Sequence, residues 1–183
     1  ITDGNVENEE ERKKVLRYRE NVFKELKRID ALFVPGGDPG DTPPQLLMPF
    51  LEELADVLRK YHPNAEVWVS HQGFEIENRN WFYNYLKREK PDWLTGVVYG
   101  PWTRDTLEHT RLEVPSHYKI RLYPDISHTV RCQFPIPDWD FAFAKTLDRE
   151  PINPRPMAYY HIFNYCAPFI DGFVTYSEGV NDD

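Results

Sequence analysis

ALFVPGGDPGDTPPQLLMPFLEELADVLRKYHPNAEVWVSHQ, residues 31–72, decides the fold. Two apolar runs, Ala31–Val34 and Glu66–Ser70, bracket a helical pattern over Pro44–Tyr61. That pattern sets Leu47, Leu51, Leu54 and Leu58 on one stripe, the spacing of a helix with one buried face. Two short strands joined through a helix are the unit of a parallel sheet, because parallel strands need a long crossover.

The same alternation continues outward. Leu94–Tyr99, Ile120–Tyr123 and Gly172–Tyr176 read as further strands. Between them lie helical patterns at Asn80–Lys90 (with Trp81, Phe82, Tyr85 and Leu86), Arg104–Arg111 and Met157–Cys166. On the N-terminal side, ENEEERKKVLRYRENVFKELKRI at residues 7–29 reads as one amphipathic helix, with Val15, Tyr18, Val22, Leu26 and Ile29 as its apolar positions. It leads straight into Ala31, so it reads as the helix of a βα unit whose own strand is missing. No helix follows Gly172–Tyr176, although a buried parallel strand needs cover on both faces. These features make the chain one incomplete domain, expected to aggregate or stay partly unfolded by itself, with the rest of its own barrel or neighbouring domains as partners.

Composition narrows the function. The 183 residues carry 22 Lys plus Arg against 30 Asp plus Glu, a net charge of −8, so no basic face is expected and nucleic acid is excluded as a partner. No apolar run is long enough to span a membrane. Two cysteines, Cys132 and Cys166, offer neither a disulfide framework nor a CxxC metal pair. The first residues carry no signal-peptide pattern, and a periplasmic or secreted location fits only through the glycan-degrading role argued below. Aromatic residues make up 15% of the chain, more than a core of this size needs, and rings beside turn residues stack well on flat ligands.

Helices alternating with parallel strands fit either a doubly wound sheet or a (β/α)8 barrel of the TIM type. The loops favour the barrel, because every strand is followed by polar or aromatic residues: PGGDPGDTPP after Val34, SHQGFE after Val69, YGPWTR after Val98, YPDISHTVRCQFPIPDW after Leu122 and TYSEGVNDD after Val174. In a barrel all strand C-termini meet on one face, where the chemistry sits. The glycines of PGGDPGD do not make a phosphate loop, since two carboxylates repel a phosphate and the prolines remove backbone donors.

The candidate site is acid and ring. Asp38, Asp41, Glu75, Asp125 and Glu178 lie in these loops, with His71, Gln72, His128 and Arg131 beside them as hydroxyl-binding groups and Tyr99, Trp102, Tyr123, Trp139 and Tyr176 as rings. Paired carboxylates, one protonated and one ionised, are what glycosidic cleavage needs. The duller readings are that Asp38 shapes a turn, Asp125 caps a helix, His71 and His128 are satisfied structural groups, and Asp182 and Asp183 are solvated charges. Neither HxH nor HExxH spacing is present, so no metal and no cofactor are expected. No Lys stands at a strand end to form a Schiff base, which disfavours an aldolase.

VPGGD at 34–38, the helix 44–61 and VWVS at 67–70 resemble the fourth and fifth strands of family-20 glycoside hydrolases, the β-hexosaminidases. GFVTYSEGVND, 172–182, is similar to their last strand. The resemblance implies that the chain spans about helix three to strand eight of the barrel and acts on an N-acetylhexosamine. It gives Asp38 the role of orienting the 2-acetamido group and Glu178 a hydroxyl-binding role. Pro39 stands where that family has its general acid, and proline cannot donate a proton. Either Asp41, Glu75 or Asp125 replaces it, or the substrate is a different sugar, or the activity is lost. By desolvation at the end of an apolar strand, Glu178 is the best acid, with Asp38 or Asp125 as its ionised partner; Arg131 and a charged His128 would hold Asp125 ionised. The reading is a glycoside hydrolase working through Asp38, Asp125 and Glu178, with a non-catalytic carbohydrate-binding or scaffolding barrel as the alternative.

Overall fold

A computed structural model describes residues 6–36, 42–124, 133–134 and 156–173. The described elements run α1 (Glu9–Glu25), β1 (Ala31–Val34), α2 (Pro44–Tyr61), β2 (Glu66–Ser70), α3 (Ile76–Arg88), β3 (Gly96–Tyr99), α4 (Leu107–Glu113), β4 (Lys119–Leu122), α5 (Pro156–Cys166) and β5 (Gly172–Phe173). All neighbouring strands are parallel, in the order β1-β2-β3-β4-β5.

This order separates the two candidate architectures. A doubly wound sheet reverses direction at a switch point, which places helices on both faces. Here every crossover steps the same way. Right-handed crossovers then put all the helices on one face of the sheet, the winding of a (β/α)8 barrel, of which these strands form a part.

The two faces differ as a barrel wall requires. Val34, Val67, Val69, Val97, Ile120 and Leu122 pack with the α2 stripe Leu47, Leu51, Leu54 and Leu58 and with Phe82 and Leu86 of α3 in one buried core. The register aligns Val34 with Val69, Val69 with Val97, and Val97 with Ile120, so these side chains form continuous rows beneath the helices. The opposite face pairs Phe33 with Trp68, Trp68 with Gly96, and Arg121 with Gly172. Large side chains there lie over glycines. A Cβ on Gly96 would sit 2.5 Å from the Trp68 ring, so Gly96 is what lets that indole lie flat and fully buried. The Arg121 guanidinium stacks 4.3 Å from the Trp68 ring centre, and Glu66 accepts from the indole Nε1 at 2.9 Å. Lys119 and Arg121 lie 3.7 and 3.5 Å from the same carboxylate. A cation on an aromatic face, closed by an acid, lets polar groups line a barrel interior.

Helix α1 departs from its expected stripe. It ends at Glu25, with Leu26 extended, and buries Phe23 while leaving Tyr18 62% and Leu26 49% exposed. Stopping there frees residues 26–30 to turn into β1. Cys166 is a buried free thiol, raised in pKa by burial and then by Glu108; Cys132 lies outside the described residues. No helix among the described residues is long and apolar enough to cross a membrane.

Candidate functional site

The C-terminal ends of β1 to β4 meet in one interlocked rim. Gly36 after β1 has φ +74° and approaches β2 so closely that a Cβ would lie 2.0 Å from the Ser70 carbonyl oxygen. Only glycine serves there, on both conformation and space. Beyond Ser70 the chain turns, with the Ser70 hydroxyl accepting from the Gln72 amide at 3.1 Å. Gln72 is buried, and its Oε1 accepts a short hydrogen bond from the Tyr123 hydroxyl past the end of β4. The Tyr123 ring fills the space a side chain on Gly100 would need. The Gly100 carbonyl accepts from Gln133 Nε2 at 2.8 Å. Gly73, at φ 75°, donates to the Trp102 carbonyl at 3.4 Å. Gln72, Tyr123 and Trp102 are thereby brought to the same end of the sheet through direct contacts between their loops.

Trp102 has φ 57° and is 37% exposed. A bulky residue in the left-handed region costs about 1–3 kcal/mol and persists only where its surroundings hold it. Part of that hold comes from behind the rim. Asp105 Oδ2 accepts from His109 Nδ1 at 2.7 Å and from the Tyr83 hydroxyl at 3.0 Å, with Arg79 Nε at 3.5 Å. Asp105 Oδ1 accepts from the Thr106 amide, and its carbonyl accepts from the Tyr99 hydroxyl at 2.6 Å. Arg79 also donates a short bond to the Arg104 carbonyl. Burial works against the Asp105 charge, but bonds from His109 and Tyr83 and the Arg79 charge together hold its carboxyl below the ordinary range.

His71 and Tyr99 lie on the other side of the sheet. Strand alternation sets His71 with Val67 and Val69, facing the helices. Its ring packs against Phe82, Tyr83 and Tyr99, and burial lowers its pKa to about 4. The proton positions follow from the neighbours. Tyr83 has one hydroxyl proton, directed to the acceptor-only Asp105 carboxylate, so Thr110 is the donor across its 3.1 Å contact with Tyr83. Thr110 must then accept from His71 Nε2 at 3.3 Å. The ring is neutral, protonated on Nε2, with a buried Nδ1 that has no hydrogen-bond partner among the described residues. Burial also raises the Tyr83 and Tyr99 hydroxyls well above their ordinary value, keeping both as donors.

Glu75 is exposed and pairs with Arg104 at 2.9 Å. Asp38, Asp125, Glu178, His128, Arg131 and Tyr176 lie outside the described residues, as do Asp41, Trp139, Asp182 and Asp183. Among the described residues no group of three or more His, Cys, Asp and Glu side chains could hold a metal ion. The sequence reading overlooked Asp105, Arg79 and His109. The i, i+4 pair Asp105–His109 beside the helix-capping Thr106 was the signal available.

No family model and no curated protein matches this chain. Solved structures do match. One of them is a point mutant, alanine for glutamate, in complex with xylotriose, and it aligns with all of this chain at TM-score 0.52 and 12% identity. The chain spans 61% of that protein's length. The likeness is one of fold, and it agrees with the sequentially wound parallel sheet.

Chemically, the rim combines an amide, a phenol and an indole over a parallel-sheet end. An amide and a phenol exchange hydrogen bonds with hydroxyls, and an indole face covers the C–H side of a pyranose ring.

Proposed function

We propose that this chain belongs to a (β/α)8 glycoside hydrolase that binds its glycan across the C-terminal end of the sheet. The observation that carries the reading is the convergence of Gln72, Trp102 and Tyr123 at that end, where barrel enzymes keep their chemistry. The xylotriose bound to the fold neighbour supports a carbohydrate ligand. In the finer reading, Asp38, Asp125 and Glu178 supply the carboxylates, Glu178 protonates the leaving oxygen, and Glu75, His128, Arg131 and Tyr176 bind hydroxyls. His71 and Tyr99 act from behind the rim. The hexosaminidase-like specificity rests on the motifs at 34–38 and 172–182.

Turnover by the intact protein tests the assignment. An aryl glycoside with a good leaving group needs little protonation, so Glu178→Gln should spare it and cripple poor leaving groups. Equal loss on both makes Glu178 a binding group. Pro39, standing where a general acid is expected, favours a second reading: a barrel that binds sugar without cleaving it. Wild-type binding of xylotriose or chito-oligosaccharides without turnover across a broad glycoside panel would select that reading.

A further inference from the structure

The foot of the loop that carries Trp102 is gripped from three elements at one residue. Tyr99, at the end of β3, binds the Asp105 carbonyl. Tyr83 and Arg79 of α3 and His109 of α4 all reach Asp105 Oδ2. The side chain so gripped is only 10% exposed, which is unusual for an aspartate in a loop between a strand and a helix. Arg79 adds a bond to the neighbouring Arg104 carbonyl. At the other end, the Tyr123 ring and Gln133 fix Gly100. Trp102 stands between the two anchors with its backbone in the left-handed region. A tryptophan relaxes out of that conformation unless the chain on both sides is held.

We propose that Asp105 is the positioning residue for Trp102, fixing the indole at the rim as a platform for a sugar ring. The inference rests on the functional reading above and deepens it. Asp105 lies behind the rim, held by α3 and α4. It acts through residues 103 and 104, and its donors on α3 and α4 make it the point where the helix layer sets the geometry of the rim. The His71–Thr110–Tyr83 chain ends on the same carboxylate, so each donor in that chain is polarised toward it.

The test reads Trp102 alone. In the intact protein, acrylamide quenching of each variant is compared with that of its Trp102→Phe counterpart, and the difference isolates this indole. Measurements are made well below the unfolding transition, so that a merely less stable protein is still folded. Asp105→Asn should raise quenching of the Trp102 component about twofold and weaken xylotriose binding about tenfold, while the other tryptophans stay unchanged. Tyr83→Phe and the surface change His109→Ala remove one donor each and should move quenching the same way by less. Should Asp105→Asn fail to fold, these two variants decide. Unchanged Trp102 quenching in the folded variants overturns the proposal, whatever happens to sugar binding. Trp102→Ala separates the two claims: unchanged sugar affinity there defeats the functional reading, while the quenching result still decides the role of Asp105.

Discussion

Lowering the pH from 7 to 5 should destabilise the fold by about 2 kcal/mol through His71 alone. The ring titrates at about 4 in the folded chain against 6.5 when free. Between these values the unfolded chain takes up a proton that the folded chain refuses, so this contribution is complete above pH 6.5 and declines as the pH falls toward 4. Each tenfold gap in proton affinity is worth about 1.4 kcal/mol, so the full loss is about 3 kcal/mol, of which about 2 kcal/mol has gone by pH 5. The cause is structural. Nε2 is committed to Thr110, so a second proton would go on Nδ1, which is buried with no acceptor among the described residues. Urea unfolding at pH 7, 6 and 5 measures the effect, with His71→Phe as the control, because a phenyl ring fits among Phe82, Tyr83 and Tyr99 but cannot titrate. The stability of the wild type relative to the His71→Phe protein should fall by about 2 kcal/mol from pH 7 to pH 5, or about 4–8 °C in a melt for a chain of this length. Parallel pH profiles would refute the reasoning, showing that Nδ1 reaches water or an acceptor.

Other perturbations probe the wall and the rim. Gly96→Ala places a Cβ 2.4 Å from the Lys119 carbonyl oxygen and 2.5 Å from the Trp68 ring, and because one of these is backbone it should cost about 3 kcal/mol in urea unfolding. Leu54→Ala, at a fully buried position on the α2 stripe, should lose about 3 kcal/mol through the cavity it leaves. Tyr123→Phe withdraws the donor from buried Gln72 Oε1, which should cost about 1 kcal/mol of stability and weaken xylotriose binding measured by calorimetry.

Much of the wall was legible in the sequence. The bounds of β1, α2 and β2 follow from the residue pattern, because the two strand runs are mostly apolar and the α2 leucines repeat at helical spacing. The start of α3 was not. Its first turn, Ile76–Arg79, is polar apart from an exposed Ile76, so the periodic signal begins only at Trp81. Helix α4 begins at Leu107 rather than Arg104, since residues 104 and 105 are spent holding the loop. Sequence could place Gln72, Trp102 and Tyr123 at strand ends, and tertiary contacts then brought them together. The alternation that sets Trp68 and Ser70 on one face and Val69 on the other also assigns His71 to the helix side, a parity that strand-end proximity alone conceals. The α3 side of the Asp105 hub was beyond reach, because Arg79 and Tyr83 come to it from another element, whereas the Asp105–His109 pair is local.

A structure of the intact protein with a bound oligosaccharide tests the central claim most directly. A sugar ring should lie against the Trp102 indole within about 4 Å, with hydroxyls in hydrogen-bond reach of Gln72 or Tyr123. Sugar bound instead at the N-terminal end of the strands, beside Glu66 and Lys119, or on the outer face of α5, would contradict it.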